Sequence, residues 1–323
     1  MTSFRWNEEI PVKFFTSFRP KGQFKDSYLV VFLFVFLFFF LSISPVIWAS
    51  NSIYKPTNRI VSASPSITET LFELGLKDSV IAVTDFCKYP QEACKLPSIG
   101  GAINPNIEVL VSLQPDLVLH LSHSAKLARN TKSLDIPSFG INMDTLTDIL
   151  NSIKILGKTL GVEKNAEQLI KKLTEGISSY KEKLNGVAPK EALLLLGDSS
   201  DPGRDLYATG HGTFLHELLE ISGGKNILPT TMAKYPRITK EYIIEKSPEV
   251  IIEAGPKSRL TPPQIKERIK GWERFPSIRA VQKGQIHYIG ADYILIPGPR
   301  LLNIIEQFSR AIHPDIFLKE GLP

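Results

Sequence analysis

The sequence predicts an α/β protein of two lobes, each with a mainly parallel sheet flanked by helices, joined by one long backbone helix. Three observations predict this class. Short apolar runs alternate with helical segments, two stretches of the chain repeat, and a long amphipathic segment without proline separates the repeats. The chain has 323 residues and is 43% hydrophobic and 22% charged, as in an ordinary globular protein of more than one domain.

The strongest apolar run lies near the start of the chain. Residues 28–43 carry no charge, and the run extends to Ala49, about the length of a membrane-spanning helix. Basic residues precede it, so the positive-inside bias predicts export of everything that follows, to the periplasm or the outer face of the cytoplasmic membrane. Cleavage stays open, because the residues before Ala49 make a poor signal-peptidase site, and no Cys follows closely enough for lipid attachment. The predicted parts are a cytoplasmic basic leader (1–27), a signal or anchor segment (28–49) and a linker (50–57).

The first lobe is predicted at 58–143, where short apolar runs read as buried strands. Helices between them show apolar residues at every third or fourth position. Asn104 and Pro105 are expected to open one helix, as N-cap and first-turn residues, and Pro115 to stop it. The predicted strands are 59–63, 80–83, 117–119 and 138–141, and the other helices are 66–74 and 125–134.

The second lobe is predicted at 189–323 and repeats this scheme. Residues 107–119 align with 240–252: in each, a Glu stands seven residues before a Pro, which an acidic residue and an apolar strand follow. Thr239 is expected to cap the helix that starts the second copy. The predicted strands are 192–196, 250–252 and 286–289, and the other helices are 213–221 and 299–312.

The connection between the lobes is predicted to be helical over 144–188. Apolar residues recur at helical spacing, and Lys and Glu fill the opposite face. One helix at 164–186, of about 30 Å, would join the lobes as a rigid rod.

The motifs together resemble a known family. They are RIVSASPSITETLFELG and VTDFCKYPQEACKLPSIGGAINPNIEVLVSLQPDLVL in the first lobe, and SGGKNIL, YPRITKEYIIEKSPEVII and ADYILIPGPRLLNIIEQFSRAIHP in the second. In order and spacing they resemble the class III periplasmic binding proteins of iron-siderophore and cobalamin importers, most of all the cobalamin-binding group. The resemblance covers about residues 59–314 and implies a ligand cleft between the lobes.

The resemblance also implies the site. A corrinoid ligand would lie beyond the carboxyl ends of the strands, with no other cofactor. Glu108 and Glu241, each in the first turn of its helix, would dock onto arginines of the transmembrane subunits of an ABC permease. The expected ligand contacts are Pro65, Ser66, Phe86, Tyr89, Tyr235, Asp292, Tyr293, Ile294, Leu295 and Ile296.

Departures from the family pattern leave the ligand open. Ala102 and Leu121 stand where the cobalamin receptors carry cleft aromatics, and Phe86 replaces a Tyr. A ferric siderophore or heme is therefore the alternative ligand. His120 and His123 follow a strand at the predicted cleft, but no convincing set of four ligands forms around them, so we predict no metal site.

The chain has two cysteines, Cys87 and Cys94, both in the part predicted to be exported. An oxidising compartment would permit a disulfide between Cys87 and Cys94, with two free thiols as the alternative. Nucleic-acid binding has no run of basic residues to support it, and an enzyme no GxSxG elbow, phosphate loop or GxGxxG fingerprint. A membrane-anchored sensor would need an output domain, for which the tails are too short.

Overall fold

The structure, a computed structural model, describes residues 59–101, 103–197, 207–256 and 260–317. The predicted leader, signal or anchor segment and linker lie outside these residues. Two separate sheets form, one from each predicted lobe. The strands are β1 Ile60–Ser62, β2 Val80–Ala82, β3 Leu117–Leu121, β4 Ser138–Ile141, β5 Lys190–Leu196, β6 Tyr207–Ala208, β7 Gly224–Asn226, β8 Val250–Gly255 and β9 Ile286–Gly290.

The two sheets share one topology. In the first, the order is β2-β1-β3-β4 and all pairs are parallel. In the second, β7, β5, β8 and β9 are parallel in the same order, and only the two-residue β6 adds an antiparallel pair beside the end of β5. The repeat predicted from sequence is therefore a repeat of fold, and the two-lobed α/β class is confirmed.

Helices separate the strands and cover both sheets. Several begin at a capping residue: Thr239, as predicted, accepts a hydrogen bond from the backbone N–H of Tyr242. The helices are α1 Pro65–Glu73, α2 Ile107–Ser112, α3 Ala125–Ser133, α4 Leu146–Thr159, α5 Glu163–Lys183, α6 Phe214–Ile221, α7 Lys240–Lys246, α8 Pro262–Lys270, α9 Arg279–Gln282, α10 Leu301–Ile312 and α11 Pro314–Phe317.

Each sheet is buried on both faces, which explains its unbroken apolar strands. In β5, Leu194 faces a core that runs through both lobes, and Leu193 and Leu195 face a second cluster around Trp272. In β3, Leu119 faces the same shared core, and Val118 faces a cluster of the first lobe. Because α4, α5 and α10 all contribute to the shared core, the lobes are packed together through their connecting helices.

The predicted rod is present as α5, a helix of 21 residues that starts one residue before the predicted start and ends three before the predicted end. Its apolar side packs into the shared core through Leu169, Leu173 and Ile177. Sequence analysis did not place α4 as a separate helix, which a Thr145–Asp148 capping box starts.

Some boundaries differ from the prediction. The helix expected to open at Asn104 begins at Ile107, because the Asn106 side chain accepts the hydrogen bond of the Val109 backbone N–H. Pro105 instead pairs with Gly100 in an isolated bridge. The last long helix begins at Leu301 rather than 299. Strands β6 and β7 and helix α8 were not predicted, because their apolar content is too small to produce a clear period.

The crossing of α4 and α5 depends on a glycine. A Cβ atom at Gly157 would lie 2.4 Å from the Cβ of Ala166 and 3.4 Å from the Cα of Glu163. We expect Gly157→Ala to lower the free energy of unfolding by about 1–3 kcal/mol, because overpacking outweighs the better helix propensity of Ala. Chemical denaturation would measure this. The exposed neighbour Lys158→Ala is the control and should change stability by about 0.5 kcal/mol or less; equal stabilities of the two variants would contradict the prediction.

Candidate ligand-binding cleft

Loops from the carboxyl ends of the two sheets meet between the lobes. This is where an open α/β sheet binds its ligand. The loop after β2 carries Phe86 and Tyr89, and the segment after β9 carries Asp292 and Tyr293. Two ion pairs cross from one lobe to the other here, and the Tyr89 ring also lies against Arg300, so these two loops are in contact.

The first cross-lobe ion pair joins α1 to the start of α10. Arg300 donates two hydrogen bonds to Glu69, from Nε to Oε2 at 2.8 Å and from Nη2 to Oε1 at 2.6 Å. Its Nη1 donates to Asp292 at 2.9 Å. The Glu69 side chain is 1% exposed and that of Arg300 is 12% exposed. Three short charge-assisted bonds, two of them to a carboxylate that is almost fully buried, make this a strong contact.

Burial and charge act in opposite directions on this pair. Burial raises the pKa of Glu69, and the hydrogen bonds and charge of Arg300 oppose that rise. Burial also works to lower the pKa of Arg300, but the bonds to Glu69 and Asp292 outweigh it and raise that pKa. The guanidinium therefore remains charged and compensates a carboxylate that has almost no contact with water.

Two tyrosines surround the same guanidinium. The Arg300 Cζ atom lies 4.0 Å from the ring centre of Tyr89 and 5.2 Å from that of Tyr293. Both distances are within the range of cation–π contacts. Tyr89 belongs to the first lobe and Tyr293 to the second, so the Arg300 side chain contacts one aromatic ring of each lobe.

The second cross-lobe ion pair joins Asp144, which follows β4, to Lys234, at 2.7 Å. The Asp144 carbonyl oxygen also accepts a hydrogen bond from the Phe214 backbone N–H, at 2.6 Å. Tyr235 is the neighbour of Lys234. Burial, and secondly the negative charge of Asp144, raise the pKa of Tyr235. The two ion pairs therefore lie beside opposite edges of the second sheet, Arg300 after β9 and Lys234 beside β6.

The predicted contact residues include several large side chains that are open to solvent. Phe86 is 64% exposed, Tyr235 46%, Tyr89 40% and Leu295 38%. Large side chains that stay exposed where loops of both lobes meet are candidates for ligand contact. Tyr207 on β6, 47% exposed, is a further one that the sequence analysis missed. It pairs with Arg237 in an isolated bridge, two residues from Tyr235. Its strand has only two residues, too few for a periodic signal.

Two of the expected contacts have their side chains buried. Ile294 is fully buried in the shared core, because the chain turns there through a hydrogen bond from its N–H to the Ala291 carbonyl. Ser66 is 2% exposed, and its hydroxyl pairs with that of Ser64 at 2.8 Å. The Ile294 side chain therefore faces the core and not the cleft. Pro65 and Ile296 are half-buried.

The disulfide candidate is also corrected, because both thiols are free. Cys87 is buried, and its sulfur lies 3.2 Å from the hydroxyls of Thr68 and Thr84. Cys94 is exposed, and its thiol donates to the Lys88 carbonyl oxygen at 3.4 Å. The Cys87 sulfur therefore bonds to threonine hydroxyls rather than to a second sulfur.

The two histidines near the end of β3 lie in different environments. His120 is buried, and its Nδ1 lies 2.9 Å from the Leu121 carbonyl oxygen, whereas His123 is exposed. Within the described ranges, no group of three His, Cys, Asp or Glu side chains is arranged to hold a metal ion.

Glu108 and Glu241 occupy equivalent places in the two lobes. Each is exposed in the first turn of a helix, α2 or α7, that leads into the third strand of its sheet. A helix that leads into a parallel strand starts at the carboxyl edge of the sheet, so both carboxylates stand on the cleft side. A hydrogen bond from its own backbone N–H, and then one from the Thr239 hydroxyl, lower the pKa of Glu241.

The geometry agrees with what known proteins show. A profile described as periplasmic binding protein matches residues 60–293. The chain belongs to the periplasmic binding protein family. Members bind solutes, so this chain is a substrate-binding protein and not an enzyme.

Curated relatives and solved structures support the assignment. An uncharacterized ABC transporter substrate-binding lipoprotein of Bacillus subtilis, YvrC, is 32% identical over 82% of this chain and 83% of its own. The vitamin B12-binding protein of Vibrio parahaemolyticus is 25% identical over 78% of this chain and 88% of its own. The structure of the Vibrio cholerae vitamin B12-binding protein BtuF covers 82% of this chain and 99% of its own, with a TM-score of 0.68 and 22% identity.

A heme-binding relative has an equally similar fold. The periplasmic heme-binding protein of Pseudomonas aeruginosa covers 80% of this chain and 93% of its own, with a TM-score of 0.69 and 21% identity. The fold therefore does not distinguish between ligands. In the part of the chain that the structure describes, none of the helices has both the length and the apolar character of a membrane span.

The buried pair predicts an unusual pH dependence. In Arg300→Met, Glu69 would lose its only cation at that contact, its pKa would rise further, and the free energy of unfolding at pH 7 would fall by about 3–5 kcal/mol. The folded state would then hold a proton that the unfolded state has released, so stability should recover as pH falls from 7 to 5. Urea unfolding at several pH values measures this. The double variant Glu69→Gln with Arg300→Met buries no charge, so its stability should not recover as the pH falls. If the single and the double variant showed the same dependence of stability on pH, this explanation would be contradicted.

Proposed function

We propose that this protein captures a corrinoid in the cleft between its lobes and delivers it to the transmembrane subunits of an ABC permease. The observation that carries the proposal is the set of exposed aromatic and apolar side chains at the carboxyl ends of both sheets. Phe86 and Tyr89 come from the first lobe, and Tyr235 and Leu295 from the second. A large flat macrocycle offers the apolar faces that such side chains bind.

The charges beside the cleft support a ligand with little net negative charge. Arg300 is neutralised by Glu69 and Asp292, and Lys234 by Asp144. A catecholate siderophore or the propionates of heme would favour cations that are not already paired. One relative, that of Vibrio parahaemolyticus, is a vitamin B12-binding protein by name, which agrees with this preference. Ferric siderophore and heme remain the alternative ligands.

Location follows from the same proposal. The basic leader and the apolar segment at 28–49 would carry the lobes across the membrane and leave them in the periplasm or on the outer face of the cytoplasmic membrane. If the segment is not cleaved, it would also hold the protein at the membrane beside its permease.

The ligand can be identified by thermal unfolding of the purified chain with cyanocobalamin, cobinamide, heme and a ferric catecholate siderophore. Binding to the folded state alone raises stability, by about 2.7 kcal/mol when free ligand is a hundred times Kd. We expect the two corrinoids to raise Tm and the two anionic ligands not to. A shift with heme or the siderophore alone would replace the corrinoid by that ligand. No shift with any of the four would overturn the proposed ligand class.

The aromatic contacts are tested by single substitution. We expect Tyr235→Ala to weaken corrinoid binding roughly 5- to 100-fold, because loss of a stacked aromatic costs about 1–3 kcal/mol. Isothermal titration calorimetry measures the change. Ile155→Ala is the matched control, since Ile155 is 45% exposed on α4, away from the cleft. Equal affinities of the two variants would remove Tyr235 from the site.

The docking role of Glu108 and Glu241 is tested by transport. In a double alanine variant we expect uptake of cyanocobalamin to fall at least about tenfold, because two charge-assisted contacts to the permease are lost. Binding of the ligand in solution should be unchanged. The control exchanges Glu175 and Glu245, two exposed glutamates away from the helix starts, for alanine. Normal uptake by the double variant would show that these carboxylates only stabilise their helix ends.

A further inference from the structure

The segment after β9 belongs to the second lobe in sequence but is fastened to the first. It contains Asp292 and Tyr293, which are among the proposed ligand contacts, and ends at Arg300. Arg300 makes two bonds to Glu69 on α1. Gly298, in the turn before α10, also lies against α1, since a Cβ atom there would be 3.6 Å from the Ser66 carbonyl oxygen and 3.8 Å from Glu69 Oε2. If the lobes move relative to each other, the segment after β9 therefore moves together with α1.

One guanidinium also orders cleft groups on both lobes. Asp292, whose side chain is 53% exposed, accepts from Arg300 Nη1 at 2.9 Å. The Tyr89 ring of the first lobe lies against the Arg300 guanidinium, with its centre 4.0 Å from the Cζ atom, and Tyr89 is itself 40% exposed. A bond to Glu69 alone would neutralise the buried charge. The additional contacts with Asp292 and Tyr89, both open to solvent, extend the cluster to the surface that faces a ligand.

Arginine is the side chain that this arrangement requires. Its planar guanidinium makes a bidentate bond to Glu69 in its plane, donates from Nη1 to Asp292, and leaves its face free for Tyr89. A lysine keeps the charge but has a point-like ammonium group that cannot make all of these contacts at once.

We propose that Arg300 is a positioning residue for ligand binding: through Asp292, Tyr293 and Tyr89 it fixes the groups that contact the ligand without touching the ligand itself. The inference rests on the proposed function, because it takes the cleft as the binding site. Fixing these side chains before binding removes an ordering cost and slows ligand release. Arg300 therefore governs how long the ligand stays bound, in addition to stabilising the contact between the lobes.

The test compares Arg300→Lys with Gly157→Ala, a variant destabilised at the α4–α5 crossing away from the cleft. Stopped-flow displacement measures the dissociation rate of cyanocobalamin, or of whichever of the four screened ligands binds the unaltered protein. We expect dissociation at least about tenfold faster from Arg300→Lys and unchanged from Gly157→Ala. If both variants release ligand equally fast, or neither is altered, Arg300 has only a structural role and the inference is overturned.

A second arm needs no ligand. With 3-fluorotyrosine in place of Tyr89, the ¹⁹F resonance reports the ring environment. We expect Arg300→Lys to move this resonance toward that of the free amino acid and Gly157→Ala to leave it in place. An unmoved resonance in Arg300→Lys would overturn the inference by itself. Failure of the unaltered protein to bind any of the four ligands would instead refute the proposed function, so the two failures are distinguishable.

Discussion

The contact between Glu69 and Arg300 is the constraint on which the rest of the cleft depends. A carboxylate that is 1% exposed would strongly disfavour folding without a partner, and the partner comes from the opposite lobe. The pair therefore forms only when α1 of the first lobe and the start of α10 of the second are correctly packed. Because the same guanidinium also contacts Asp292 and Tyr89, the requirement to compensate a buried charge determines where the cleft side chains stand.

The twofold repeat explains why such a cleft exists at all. Both sheets have the same order of parallel strands, so each presents its carboxyl edge and its helix N-termini on one side. When α4, α5 and α10 pack both lobes around one core, those edges come together. Glu108 and Glu241 then stand at equivalent positions, one on each lobe, on the side that we propose faces the permease.

Sequence analysis was most successful where a residue's role is local. Thr239 caps its helix because the side chain bonds a backbone N–H three residues away, and α5 follows from an amphipathic period over 21 residues. It was least successful for contacts between distant segments. Ile294 was expected in the cleft together with its neighbours, but a turn rotates its side chain into the core. Cys87 and Cys94 stand seven residues apart, yet their thiols bond to different groups.

The α/β class, the repeat, the long connecting helix and the family can all be predicted from the order of residues, because they depend on periodicity and on motif order. The folded chain was needed to show which side chains share the cleft, that the two thiols are free, and that Glu69 finds its cation 231 residues away at Arg300. The physical reason is that buried charges and apolar faces are satisfied by whichever partner packing brings near. That partner is a property of the folded chain and leaves no local pattern in the order of residues.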